Sequence, residues 1–174
     1  MPDDALPDPT LGDTGSPKPD DTESPTPDDT GRPKPGDTKR PKPGDTASRT
    51  LTLTADHVAA FAELSGDYNP LHFDEDFAAG TRFGRLVVQG GLTTGLLHAL
   101  VAMDMPGPGT VFLSQDWKFT APVFIGDTIT AHAELLSVHE TKPVTRLAVR
   151  VERQDGETVL EGEAWCYRFM PPAP

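Results

Sequence analysis

The chain has 174 residues and a formal charge of −12. Of its 27 acidic and 15 basic residues, 11 and 7 fall in the first fifty positions, which leaves 16 and 8 beyond them and a folded part about as acidic as the whole. Such a surface cannot neutralise nucleic-acid phosphates or an anionic bilayer, although a small anionic ligand needs only two or three well-placed cations. Cys166 is the one cysteine, so an internal disulfide and a CxxC metal site are excluded. The opening MPDDALPDP has neither the basic nor the apolar region of a secretory signal. No apolar run approaches the ~20 residues of a membrane helix. A cytoplasmic protein is expected, with neither nucleic acid nor membrane as a partner.

Residues 1–48 are rich in proline and nearly free of aromatic and β-branched aliphatic side chains. Such a segment buries too little apolar surface to offset its ordering entropy and is expected to be disordered. From 12 to 46 it repeats every eight residues, as GDTGSPKP, DDTESPTP, DDTGRPKP and GDTKRPKP, with a fifth start at Gly44-Asp45-Thr46. The octads have no apolar face to stack, so they read as a polyproline-like spacer and not as a solenoid. Residues 49–170 have the apolar density of a single folded domain.

Within that domain Arg49 to Leu53 alternates as a strand. Thr54 is a good N-cap for a helix over Ala55 to Ser65, with Val58, Phe61, Ala62 and Leu64 as its apolar stripe and Gly66 as its terminator. Pro70 holds Asn69 away from helical geometry, so Asp67 to Phe73 is an irregular loop. Asp74 caps a short turn that runs to Ala79. The stretch Gly90 to Met103 (GGLTTGLLHALVAM) is a helix with almost no charge, expected to be buried on every side. Its early glycines, Gly90, Gly91 and Gly95, imply close approach of something to its backbone. Four strands follow, Thr110 to Phe119, Thr128 to His139, Val144 to Arg153 and Thr158 to Phe169, separated by Pro122, Gly126-Asp127, Lys142-Pro143 and Asp155-Gly156. Strands segregated from helices give an α+β fold, an antiparallel sheet around one helix. Its exposed edge calls for a two-fold dimer.

The chemistry concentrates in SGDYNPLHFD, Ser65 to Asp74. Adding water to an enoyl thioester needs a base for the attacking water, an acid for the α-carbon and donors for the thioester oxygen. Asp67 and His72 can supply the first two, and Asn69 can orient them or the water. The amides of Gly90 and Gly91 at a helix start are candidate oxyanion donors. On the residues alone, a helix-capping Asp67 and a packed His72 remain an alternative. No redox or carrier cofactor is required. His57, His132 and His139 lack ligand spacing, so no metal site is expected. Arg82 and Arg85 are either solvated or near the phosphates of a coenzyme, Lys118 is a surface residue, and His98 is a core or a site residue.

SGDYNPLHFD, then FAAGTRFGRLVVQGGL, then FLSQDWKFTAPVFIGDTI resemble the MaoC-like family of (R)-specific enoyl-CoA hydratases and hydroxyacyl-thioester dehydratases, over essentially Thr54 to Tyr167. The resemblance implies the hot-dog fold, a homodimer, and a CoA or acyl-carrier-protein thioester as substrate, hydrated to the (R)-3-hydroxyacyl form. It places the catalytic pair on Asp67 and His72 and the oxyanion amide on Gly90. The family's histidine before that glycine is Gln89 here, its following methionine is Gly91, and a serine of some relatives falls on His98. Gly91, with Thr93 and Thr94, points either to a wider or more polar acyl site or to a space that neighbouring side chains refill. The competing readings are a hot-dog thioesterase, which usually carries its acid on the central helix, and a non-catalytic acyl-thioester-binding subunit.

Overall fold

A computed structural model describes residues 41–169. The elements in order are β1 (Thr46–Thr52), α1 (Ala55–Ser65), a 3-10 turn (Pro70–His72), α2 (Glu75–Ala79), α3 (Gly90–Met103), β2 (Thr110–Phe119), β3 (Thr128–Val138), β4 (Val144–Arg153) and β5 (Thr158–Arg168). The five strands form one antiparallel sheet in the order β1-β3-β4-β5-β2. α3 packs against β3 and β4 and also against both edge strands, β1 and β2. A sheet that touches one helix with both of its edges must curve around it. This is the wrapped-helix arrangement of the hot-dog fold.

β1 begins at Thr46, three residues before the expected Arg49. The last octad start is built into the sheet, because the Gly44 amide donates to Leu135 O and Asp45 O accepts from the Leu135 amide, each at 2.9 Å. Turn chemistry in that triplet is thus compatible with edge pairing. The first three octads and residues 36–40 of the fourth lie outside the described residues.

α1 matches its expected span. Thr54 Oγ1 accepts from the His57 amide, and His57 Nδ1 accepts from the Thr54 amide, so a histidine closes the capping box. Gly66 ends the helix at φ 79°, the left-handed position open to glycine at no steric cost.

α3 departs from expectation. Its core stripe is Thr93, Leu96, Leu97, Leu100 and Val101, whereas Gly95 and His98 are exposed. A five-stranded sheet covers one side of a helix and leaves a stripe on the other. On the covered side Leu97 and Leu100 are fully buried among Ile129, Leu135, Leu147 and Leu160, each worth about 1.5–3 kcal/mol of transfer free energy. Cys166 belongs to this core, and burial pushes its thiol up to about 12, so it packs and does not react. The glycines behave largely as anticipated. The Phe119 ring lies against Gly90 and the Phe61 ring against Gly91, while nothing approaches Gly95.

Candidate active site

The loop between α1 and α2 and the segment between α2 and α3 organise the site. Pro70 starts a 3-10 turn whose N-cap is Asn69, with Asn69 Oδ1 accepting from the Leu71 amide at 3.0 Å. This turn carries His72 into the interior, where it is 8 % exposed. His72 Nδ1 lies 2.7 Å from Val87 O. A carbonyl can only accept, so Nδ1 carries the proton of this bond, and Nε2 is the nitrogen free to gain or lose one. Asp67 Oδ2 stands 3.6 Å from that Nε2, on a carboxylate that is 42 % exposed. The separation is too long for a direct hydrogen bond, but one oxygen atom between the two groups can contact both.

Val87 O is therefore a functional atom that no side-chain pattern announced. Its residue is tied on every side. The Val87 amide donates to Leu71 O at 3.1 Å, the Val88 amide donates to Val123 O at 2.9 Å, and Val87 pairs with Phe124 in an isolated bridge. Three residues after Val87, α3 begins at Gly90.

Beside this segment lies a cleft of about 490 Å³, with Phe83, Val87, Val88 and Arg82 on one side, Phe119 to Val123 on the other, and Gly90 and Thr93 between them. The wall at Pro122 is held by Arg153 Nη1, which donates to its carbonyl at 2.9 Å. α3 has no side-chain cap at its N-terminus. Its first amides lack intrahelical acceptors by construction, and with the helix dipole they favour negative charge. Gly90 brings that end of the helix into the cleft. A larger hollow of about 1060 Å³ lies on the opposite face of the sheet, among Lys118, His132, Glu134 and Arg150. It holds none of Asp67, His72, Asn69, Gln89, Gly90, Gly91 and His98, of which Gly90 alone lines the smaller cleft.

The other candidates are placed as follows. Asn69 spends its side-chain oxygen on capping the turn, so it shapes the loop that presents Asp67 and His72. Gln89 is 1 % exposed and turned away from the cleft, its Nε2 donating to Val58 O at 3.1 Å, with Oε1 buried and unpartnered among the described residues. It joins α1 to the start of α3. His98 is neither in the core nor at the cleft. It sits two turns along α3, exposed, accepting from Gln115 Nε2 at 3.0 Å and packed on Phe112. Lys118 pairs with Glu161 at the surface. The wider site expected from Gly91 is absent, because the Phe61 ring occupies the space: a Cβ at Gly91 would lie 2.6 Å from Phe61 Cε2. Thr94 Oγ1 donates to Gly91 O and is not available to a ligand, whereas Thr93 is buried at the cleft.

Comparison with known proteins agrees with this fold. A family model described as MaoC like domain matches residues 38–158. The chain is 44% identical over 110 residues to an (R)-specific enoyl-CoA hydratase of Aeromonas caviae, covering 63% of this chain and 82% of that one. It is 41% identical over 112 residues to a 3-hydroxybutyryl-CoA dehydratase of Methylorubrum extorquens, covering 64% and 71%. A solved (R)-hydratase from A. caviae superimposes with a TM-score of 0.71 at 40% identity, covering 74% of this chain and 98% of that one.

The packing of Phe61 on Gly91 gives a direct test. Overpacking costs about 1–3 kcal/mol, against about 1 kcal/mol gained by removing a helix glycine. Gly91→Met should therefore lower the melting temperature, and adding Phe61→Ala should restore part of the loss. Equal effects of Gly91→Met with and without Phe61 would mean that the ring does not set the space.

Proposed function

The chain belongs to the MaoC-like domain family, and on that premise we propose that it is a hydro-lyase acting on acyl thioesters, with Asp67 and His72 as its acid/base pair. It adds water across the double bond of an enoyl thioester and removes it from the 3-hydroxyacyl thioester. The observation that carries this reading is the 3.6 Å approach of Asp67 Oδ2 to a His72 Nε2 whose partner nitrogen is anchored on Val87 O.

A water held between the two groups loses a proton to the pair as its oxygen bonds to C3. The π electrons move to C2 and onto the thioester oxygen, where the Gly90 amide and the α3 dipole stabilise the charge. C2 then takes a proton from the pair, which ends with the protonation it had at the start. As in the (R)-specific hydratases that the chain resembles, the product is the (R)-3-hydroxyacyl thioester. A hot-dog thioesterase usually carries its acid on the central helix. The acidic residue at the end of α3, Asp104, is instead the C-cap and is paired with Arg49 at 2.8 Å.

The functional unit is a homodimer in this proposal. Edge strand β2 exposes Val111, Leu113 and Phe119, and α3 exposes Gly95 and His98. A second copy would cover both and close the β2 edge. Residues 1–40 stand outside the catalytic unit, so the chain lacking them should keep the full-length melting temperature and sediment as a dimer. A lowered melting temperature or a monomer would contradict this assembly.

The catalytic assignment is tested with Asp67→Asn and His72→Gln. Each should lower turnover of crotonyl-CoA at least ~10²-fold, the scale of a lost general acid/base, with little change in melting temperature. Near-normal turnover in either variant overturns the assignment.

A further inference from the structure

The arginines of the described domain divide into two groups. Arg49, Arg146, Arg150 and Arg153 each meet a carboxylate at 2.6–3.0 Å, and the buried Arg168 donates to Pro108 O. Arg82 and Arg85 meet no carboxylate among the described residues. Both are exposed and lie against aromatic rings instead, with the Arg82 guanidinium carbon 5.0 Å from the Phe83 centroid and that of Arg85 3.8 Å from the Phe124 centroid. Stacking occupies the face of a guanidinium and leaves its N–H edge for an anion. In a chain with 27 acidic residues, two ordered arginines without a carboxylate are unusual.

Their position gives the pair a use. Arg82 is exposed and also lines the cleft that holds Gly90, so it stands at the mouth. Phe124, under Arg85, is bridged to Val87, whose carbonyl anchors His72. The same short segment thus carries the acid/base anchor, the oxyanion amide and both arginines. We propose that Arg82 and Arg85 are the docking point for the phosphate groups on the pantetheine arm of the thioester substrate. This rests on the hydratase reading for the use of the cleft. With the thioester at Gly90, the pantetheine arm runs between walls whose one charged side chain is Arg82, so the phosphate stays at the mouth. A charge-assisted, bidentate arginine contact suits it there. Coenzyme A and the arm of an acyl carrier protein share this chemistry.

The test uses the full chain, the Arg82→Gln/Arg85→Gln double variant, and three crotonyl thioesters: those of coenzyme A, 4′-phosphopantetheine and pantetheine. The preference for the coenzyme A thioester over the pantetheine thioester, as a ratio of kcat/KM, should fall about tenfold in the variant, equivalent to about 1.4 kcal/mol. The preference should also fall with added salt in the unaltered chain and much less in the variant. A matching fall for the phosphopantetheine thioester assigns the pair to the phosphate shared with carrier proteins, and a fall confined to coenzyme A assigns it to the nucleotide phosphates. An unchanged ratio overturns the proposal. Calorimetric titration with coenzyme A itself separates this from the reaction. If the double variant binds it about tenfold more weakly, the phosphate site stands even when no thioester is hydrated. Equal binding by both proteins removes the site whatever the activity.

Discussion

The hydrogen bond from His72 Nδ1 to Val87 O, 2.7 Å long, is the contact on which the rest of the site depends. It fixes the ring of a histidine that a loop would otherwise leave free, and it decides which nitrogen exchanges protons. The acceptor is equally constrained, since Val87 and Val88 are bonded to Leu71 and Val123 and lie just before α3. Displacing this one segment would move the acid/base pair, the oxyanion amide and a cleft wall together. Its backbone acceptor cannot change protonation state, so the orientation of His72 does not depend on the charge of a neighbouring side chain.

The central helix shows how the site is accommodated within the core. Gly90 and Gly91 would weaken an isolated helix by about 1 kcal/mol each. They are tolerated because aromatic rings use the space, Phe119 beside Gly90 and Phe61 beside Gly91. Gln89 adds a polar tie from α3 to Val58 O of α1. Where the resemblance places a methionine at 91, the Phe61 ring of α1 fills the space beside Gly91. The site is repacked and not enlarged.

Much of this was legible in the sequence because it is local. The periods of α1, β2 and β4 and the turn signals between the strands place those elements within a residue or two. The carboxylate and imidazole of SGDYNPLHFD are likewise adjacent through a constrained loop. The capping role of Asn69 was also readable, since an asparagine before proline commonly bonds its own turn two residues on. What was not legible depends on distant contacts. The one-sided burial of α3 follows from the reach of the sheet, and the ring that refills Gly91 comes from 30 residues away in the chain. Val87 acts through a carbonyl that every residue possesses. The contrast between Arg82 and Arg85 and their paired counterparts exists only once ion pairs can be seen.

The central claim is that the pair acts on the carbon–carbon double bond and not on the thioester carbonyl. Incubating the full chain with crotonyl-CoA while following the enoyl absorbance and free thiol in the same sample tests it most directly. The account predicts loss of the enoyl absorbance without release of thiol, approached equally from the 3-hydroxybutyryl side. Thiol release with the double bond intact would contradict it.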